Sequence, residues 1–268
     1  MRAIDYYRRR REAYAYFLAA LPRRPNCGRT LIFGQGRSGS TLLESLLEST
    51  GHFVPQGELF GAKGRKILYP ERYLRGHSSR WPDKNFLCHI KPHHLSRRQR
   101  PLEIQPFLQR LSDDGWRIIF IQRTDRVRQA LSYVVAKERG EYHKRDNAPE
   151  KIAVHVSRER LEALLERTAV NVQEEREGLE GIEYHEVVYE RDLEDASKHQ
   201  QTIDDVLDFL ALPRRPVSTL LRKVIAQPLR EVVLNYDEFA GWVTDMGLQD
   251  SLREVQEQAQ QRAACSRL

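Results

Sequence analysis

Apolar residues recur along this chain in two rhythms, one close to the helical period and one in short unbroken runs. Ile4, Tyr7, Ala13, Phe17 and Leu21 fall at helical intervals with arginines between them, which predicts an amphipathic helix over residues 4–21 that ends at Pro22. Arg23–Cys27 is a link, and Thr30-Leu31-Ile32-Phe33 is an apolar run suited to a buried parallel strand. The glycine-rich stretch Gly34–Gly39 follows, and then Leu42, Leu43, Leu46 and Leu47 give Thr41–Thr50 helical spacing. Phe86–Ile90 reads as a strand, Lys91–Arg100 as a polar stretch and Pro101–Leu111 as a helix. Trp116–Ile121 is the clearest strand, followed by helical patterns over 125–139 and 157–180. Glu183–Val188 is a further strand, and Thr202–Leu210 a helix that stops before Pro213. Residues 61–83 show no periodicity, 214–242 read as loop with one short helix at most, and 248–268 as a polar helix.

Strands alternating with helices, without repeats, predict an α/β fold: a three-layer sandwich around a mainly parallel sheet. The length of 268 residues suits a single domain, read here as 1–268, with 1–26 as N-terminal helix and link. Residues 61–100 and 214–242 are then loops over an acceptor or nucleotide.

Composition narrows the function classes. The formal charge of +6, from 44 basic and 38 acidic residues, fits an anionic ligand but gives no ground for a nucleic-acid partner. Three cysteines, Cys27, Cys88 and Cys265, are an odd number at wide spacing, so they form no disulfide framework and read as reduced thiols. No stretch approaches the roughly 20 apolar residues that span a bilayer, and the N-terminus has no apolar signal core. A cytoplasmic protein without a transmembrane segment is the expectation.

Gly34-Gln35-Gly36-Arg37-Ser38-Gly39-Ser40-Thr41, between a strand and a helix, has the glycine spacing of a P-loop. In nucleoside triphosphatases a lysine precedes the Ser/Thr whose hydroxyl holds Mg²⁺. Here Ser40 takes the lysine's place, the loop's basic residue is Arg37, and Ile118–Ile121 leads into Gln122-Arg123 with no metal-binding aspartate. The pattern is that of a phosphate loop working without a metal. A ligand-free strand-to-helix turn is the plainer alternative.

At these residues the chain resembles a family. Arg37-Ser38-Gly39-Ser40-Thr41-Leu42-Leu43 is similar to the 5′-phosphosulfate loop of sulfotransferases that use 3′-phosphoadenylyl sulfate (PAPS) and release PAP. The block from Arg123 to Ser132 resembles their 3′-phosphate segment, a strand-end arginine followed by a helical serine. Gly57-Glu58-Leu59-Phe60 and Gly140-Glu141-Tyr142-His143 resemble bacterial carbohydrate sulfotransferases, the first of them those of the NodH type. Tyr189–Leu193, Val206–Leu212, Pro228-Leu229 and 235–238 are similar to later family segments. One departure is that many members have the arginine one position nearer the serine, where this chain has Thr124, so Arg126 and Arg128 stand beside Arg123 as 3′-phosphate candidates.

The resemblance implies sulfuryl transfer from PAPS to a hydroxyl of a carbohydrate, glycolipid or glycosylated natural product, with no metal. Gly36, Arg37, Ser38, Gly39, Ser40, Thr41, Arg123, Ser132, Arg222 and Lys223 are the nucleotide-binding candidates. Arg37 would also stabilise charge on the leaving phosphate. Glu58 is the first candidate for general base, with His143 and His52 behind it and a surface carboxylate or helix cap as its plainer reading. Lys91 would lie near the sulfuryl group or the acceptor, and Tyr69, Tyr73 and Trp81 would stack on an acceptor ring or simply pack. Cys88, His89, His93 and His94 match no zinc spacing. Some relatives are dimers, so a homodimer is open. A P-loop kinase and a non-catalytic nucleotide-binding module are the competing functions.

Overall fold

A computed structural model describes residues 3–21, 28–61, 67–81, 83–98, 102–139, 153–221 and 227–253. Its centre is a five-stranded, all-parallel sheet in the order β2-β3-β1-β4-β5. The strands are β1 (Arg29–Phe33), β2 (Phe53–Glu58), β3 (Asn85–Ile90), β4 (Trp116–Gln122) and β5 (Tyr184–Val188). The chain is therefore α/β, as its alternating pattern predicts.

Alternation along the strands builds the layers. Leu31, Phe33, Phe86, Cys88, Ile90, Ile118 and Phe120 point to one face and join a core with Ala15 of α1 (Ala3–Ala20), Tyr73 and Leu74 of α3 (Pro70–Ser78), and Phe107 and Leu108 of α4 (Ile104–Asp113). Ile32, Leu87, Ile119, Ile121 and Val187 point to the other face. There they pack on Leu43, Leu46 and Leu47 of α2 (Ser40–Ser49) and on Ile203, Val206 and Leu207 of α7 (His199–Phe209). A parallel sheet covered on both faces accounts for the unbroken apolar run in β4.

The chain divides into two compact units, residues 1–122 with 171–219 and residues 123–170 with 220–268. The first holds the sheet. The second contains α5 (Arg126–Arg139), the start of α6 (Arg158–Gly178), α8 (Leu229–Val232) and α9 (Tyr236–Asp245). Its own core gathers Val127, Leu131, Val135, Leu161, Val232 and Phe239.

Three sequence expectations need correction. Residues 61–83 contain α3, which buries Gly76, His77 and Ser78 alongside Tyr73 and Leu74, so a face of small and polar residues gave no apolar period. Pro55 and Gly57 lie in β2, which tolerates them because it is the sheet's edge and carries a register shift between Pro55 and Glu58. The 214–242 segment holds α8 and most of α9 rather than one short helix. Of the polar helix expected over 248–268, Gln249–Leu252 is a single 3₁₀ turn, and residues beyond 253 lie outside the described ones. Among the described residues no helix is long and apolar enough to cross a membrane.

Candidate functional site

Parallel strands bring their carboxyl ends to one edge, where ligands of open α/β sheets are held. β1 runs there into the glycine loop, β2 ends at Glu58, and β3 ends just before Lys91. The loop is held from below at two glycines. A Cβ on Gly34 would collide with the carbonyl oxygen of Ile121, and one on Gly39, which precedes α2 at φ 92°, would lie 2.6 Å from the Tyr189 ring. Between them Arg37 adopts φ 65°, a left-handed conformation that costs a non-glycine residue roughly 1–3 kcal/mol. The Ser38 hydroxyl donates to the Gln35 carbonyl at 2.7 Å. The Gln35 side chain donates to Glu175 at 2.9 Å and accepts from Asn171 at 3.3 Å, which fixes the start of the loop to the last turns of α6. Arg97 in turn binds Asn171 and, at 3.1 Å, Glu174.

Opposite the loop stands a cluster of acids and bases. The Lys91 ammonium is 3.6 Å from where a Gly36 Cβ would be and is ion-paired with one Glu58 oxygen. The other Glu58 oxygen is 3.5 Å from Nε2 of the fully buried His94. Nδ1 of His94 accepts the Lys91 backbone N–H at 3.3 Å, which leaves Nε2 to carry the proton toward Glu58. Glu58 and Lys91 are thus brought together beside the glycine loop.

The structure adds a residue that the sequence reading passed over. Glu44 of α2 accepts the Gly57 backbone N–H at 3.1 Å and lies 3.3 Å from Nε2 of buried His89. Burial first, with the neighbouring charges of Glu48 and Glu58, lifts its carboxyl to about 7 against the lowering effect of the Gly57 N–H. The available signal was a carboxylate a turn inside a helix whose N-terminus faces a phosphate loop. Cys88 is buried among these groups, and burial pushes its thiol far above the ordinary range. His89 and His94 turn to carboxylates, and among the described residues no group of His, Cys, Asp and Glu is arranged to hold a metal.

Other candidates lie elsewhere. His52 is at the opposite end of β2 from Glu58, with Nε2 2.9 Å from the Pro213 carbonyl, so it is no candidate base. Tyr73 is buried with its ring 6.3 Å from that of Phe60 and packs rather than stacking on a ligand, whereas Tyr69 and Trp81 are exposed. Arg123 and Ser132 belong to the second unit, Arg123 following β4 and Ser132 buried in α5. There Arg128 is committed to Asp125, at 3.3 Å, and to the Arg253 carbonyl, at 2.5 Å. Arg126 lies 3.4 Å from the Gln129 side chain. His143, Arg222 and Lys223 fall outside the described residues. In comparisons of sequence, no protein-family model and no curated protein matches this chain.

Proposed function

We propose that this chain transfers a sulfuryl group from PAPS to an acceptor hydroxyl. The observation that carries the reading is the Lys91–Glu58 ion pair set beside Gly36 of a phosphate-type loop. Such a loop with lysine nearby suits an anionic donor, and a carboxylate beside it suits an acceptor that must lose a proton.

PAPS, when bound, supplies a sulfuryl group on a phosphate that can depart with the negative charge. Gly36, Ser38, Gly39, Ser40 and Thr41 would hold its 5′ end at the amino end of α2. Arg37 and Lys91 place positive charge where the leaving phosphate develops its own. Glu58 takes the acceptor proton, with His94 fixing the orientation of its second oxygen. Glu44 holds the backbone of Gly57, and through it the end of β2 that presents Glu58. Arg123 and Ser132 are the residues assigned to the 3′-phosphate, with Arg126 as the substitute, since Arg128 is spent on Asp125.

The test is calorimetric titration of the full chain without metal, with PAP and with ADP. Tight PAP binding and little ADP binding is the expected result, because the 3′-phosphate is what distinguishes them. Mg²⁺-dependent binding of ADP or ATP with no preference for PAP would replace the reading with a P-loop kinase. PAP binding without sulfuryl transfer to any sugar hydroxyl would leave a nucleotide-binding module.

A further inference from the structure

Most of the large apolar side chains left in solvent among the described residues gather on one helix pair. Tyr14, Phe17 and Leu21, on and just after α1, are 52%, 60% and 43% exposed, and Leu68, Tyr69 and Trp81, beside the ends of α3, are exposed as well. Arg10, Tyr14, Phe17 and Leu21 lie at helical intervals that align them in one stripe, away from buried Ala15, which packs against α3. Exposed apolar side chains gathered in this way mark a contact surface.

The charge on this face is predominantly basic, with Asp83 near Trp81 as its exposed acid. Arg9, Arg10, Arg11, Arg72 and Arg80 are exposed, with the Arg80 guanidinium 5.8 Å from the Tyr14 ring and that of Arg72 5.4 Å from Tyr69. Two of the nearby acids are engaged. Glu12 accepts from the Tyr16 hydroxyl at 2.5 Å and the Leu68 amide at 3.3 Å, and Glu71 is held by Arg110 at 2.8 Å. A second copy meeting this face about a two-fold axis would set arginine against arginine.

We propose that α1 and α3 dock the protein on an anionic lipid bilayer. The arginines meet headgroup phosphates, while Tyr14, Phe17 and Leu21 enter the boundary between headgroups and acyl chains, with Tyr69 and Trp81 at headgroup level. The docked pair adjoins the candidate base, since Tyr73 of α3 packs on Phe60, two residues beyond Glu58. Docking therefore narrows the acceptor to a hydroxyl of a membrane-borne glycan, a step that rests on the sulfuryl-transfer reading, whereas the docking itself does not.

The test is co-sedimentation of the full chain with phosphatidylcholine vesicles, with and without about one-third phosphatidylglycerol. Binding is expected only to the anionic vesicles and should weaken as salt rises. Tyr14→Ser with Phe17→Ser should weaken it at least about tenfold, and Arg80→Glu by roughly fivefold or more. Both variants should keep the wild-type melting temperature and PAP affinity. In the unmutated chain, tryptophan emission should shift to the blue on anionic vesicles, and Trp81→Phe should abolish the shift, a readout that needs no change to the stripe. Absence of binding at low salt, binding indifferent to the serine variant, or a blue shift surviving Trp81→Phe overturns the proposal. So does a dimer in sedimentation velocity that Phe17→Ser dissociates. Because PAP titration reads the other site, loss of PAP binding with vesicle binding intact removes the sulfuryl-transfer reading and leaves the docking surface standing.

Discussion

Among the described residues three histidines are buried to a similar depth, but their surroundings differ. His89 and His94, at the carboxyl end of the sheet, each face a glutamate, at 3.3 and 3.5 Å. His77, between α1 and α3, has the edge of the Tyr73 ring against it at 4.4 Å, and among the described residues neither of its nitrogens has a hydrogen-bond partner. Burial, helped by the charges of Arg11 and Arg80, lowers its pKa to about 4. The difference teaches what burial alone cannot say. At the sheet edge the imidazoles lie within ion-pairing distance of carboxylates, while in the helix pair the ring fills space and is favoured only when neutral.

The largest expected effect falls on the sheet edge. Glu58→Gln should lower turnover by roughly 10²–10⁴-fold while PAP affinity stays within a small factor, read by sulfuryl-transfer assay and calorimetry. Undiminished turnover would end the assignment of Glu58 as base.

The next effect belongs to His77. Its folded pKa lies below the unfolded value near 6.5, so its contribution to stability is complete above that pH and is lost as pH falls toward about 4. The loss should reach roughly 3 kcal/mol at the acid end, measured by urea unfolding, and His77→Phe should flatten the curve in that window. An unchanged acid slope in the variant would place the sensitivity elsewhere.

Gly76→Ala should cost about 1–3 kcal/mol, because the added methyl meets the Ala15 carbonyl where the two helices cross. PAP binding should be unaffected, and a fall in PAP affinity would show that the helix pair and the loop are not separable.

Glu44 gives the smallest effect, and its sign is opposite to that of His77. Its folded pKa of about 7 lies above the unfolded value, so its stabilising share is present below the unfolded pKa and lost as pH rises through 7. Glu44→Gln should abolish this dependence, which for a shift of that size is roughly 3 kcal/mol. The net gain above pH 8 should be only about 1 kcal/mol, because the amide gives up the charge-assisted bond from the Gly57 N–H, itself roughly 1.5–3 kcal/mol. It should also remove any inflection near 7 from the pH profile of turnover. A profile with that inflection intact would assign it to another group.

Much of the sheet was legible because each buried parallel strand is an apolar run with little competing pattern, as in Leu31-Ile32-Phe33 and Ile118–Ile121. The glycine loop was legible for a related reason, since Gly34 and Gly39 occupy positions where a side chain would collide with β4 or with Tyr189. Less was visible in β2, where a proline and a glycine are compatible with a strand only at an edge. α3 was invisible because its packing depends on Gly76, His77 and Ser78 being small or tolerated, and not on apolar spacing.

What the sequence determined by itself was local: which runs are strands, where the loop turns, and that its basic residue is Arg37, with Ser40 where the usual lysine would stand. Tertiary structure decided which distant residues share a site. Glu58, Lys91 and His94 meet because β2 and β3 are parallel neighbours that end at the same edge. Glu44 joins them because α2 returns over the sheet and places its carboxylate on the Gly57 amide. Strand order and helix crossing arise from burying two faces of one sheet at once, a condition satisfied by the whole chain and written in no single stretch of it.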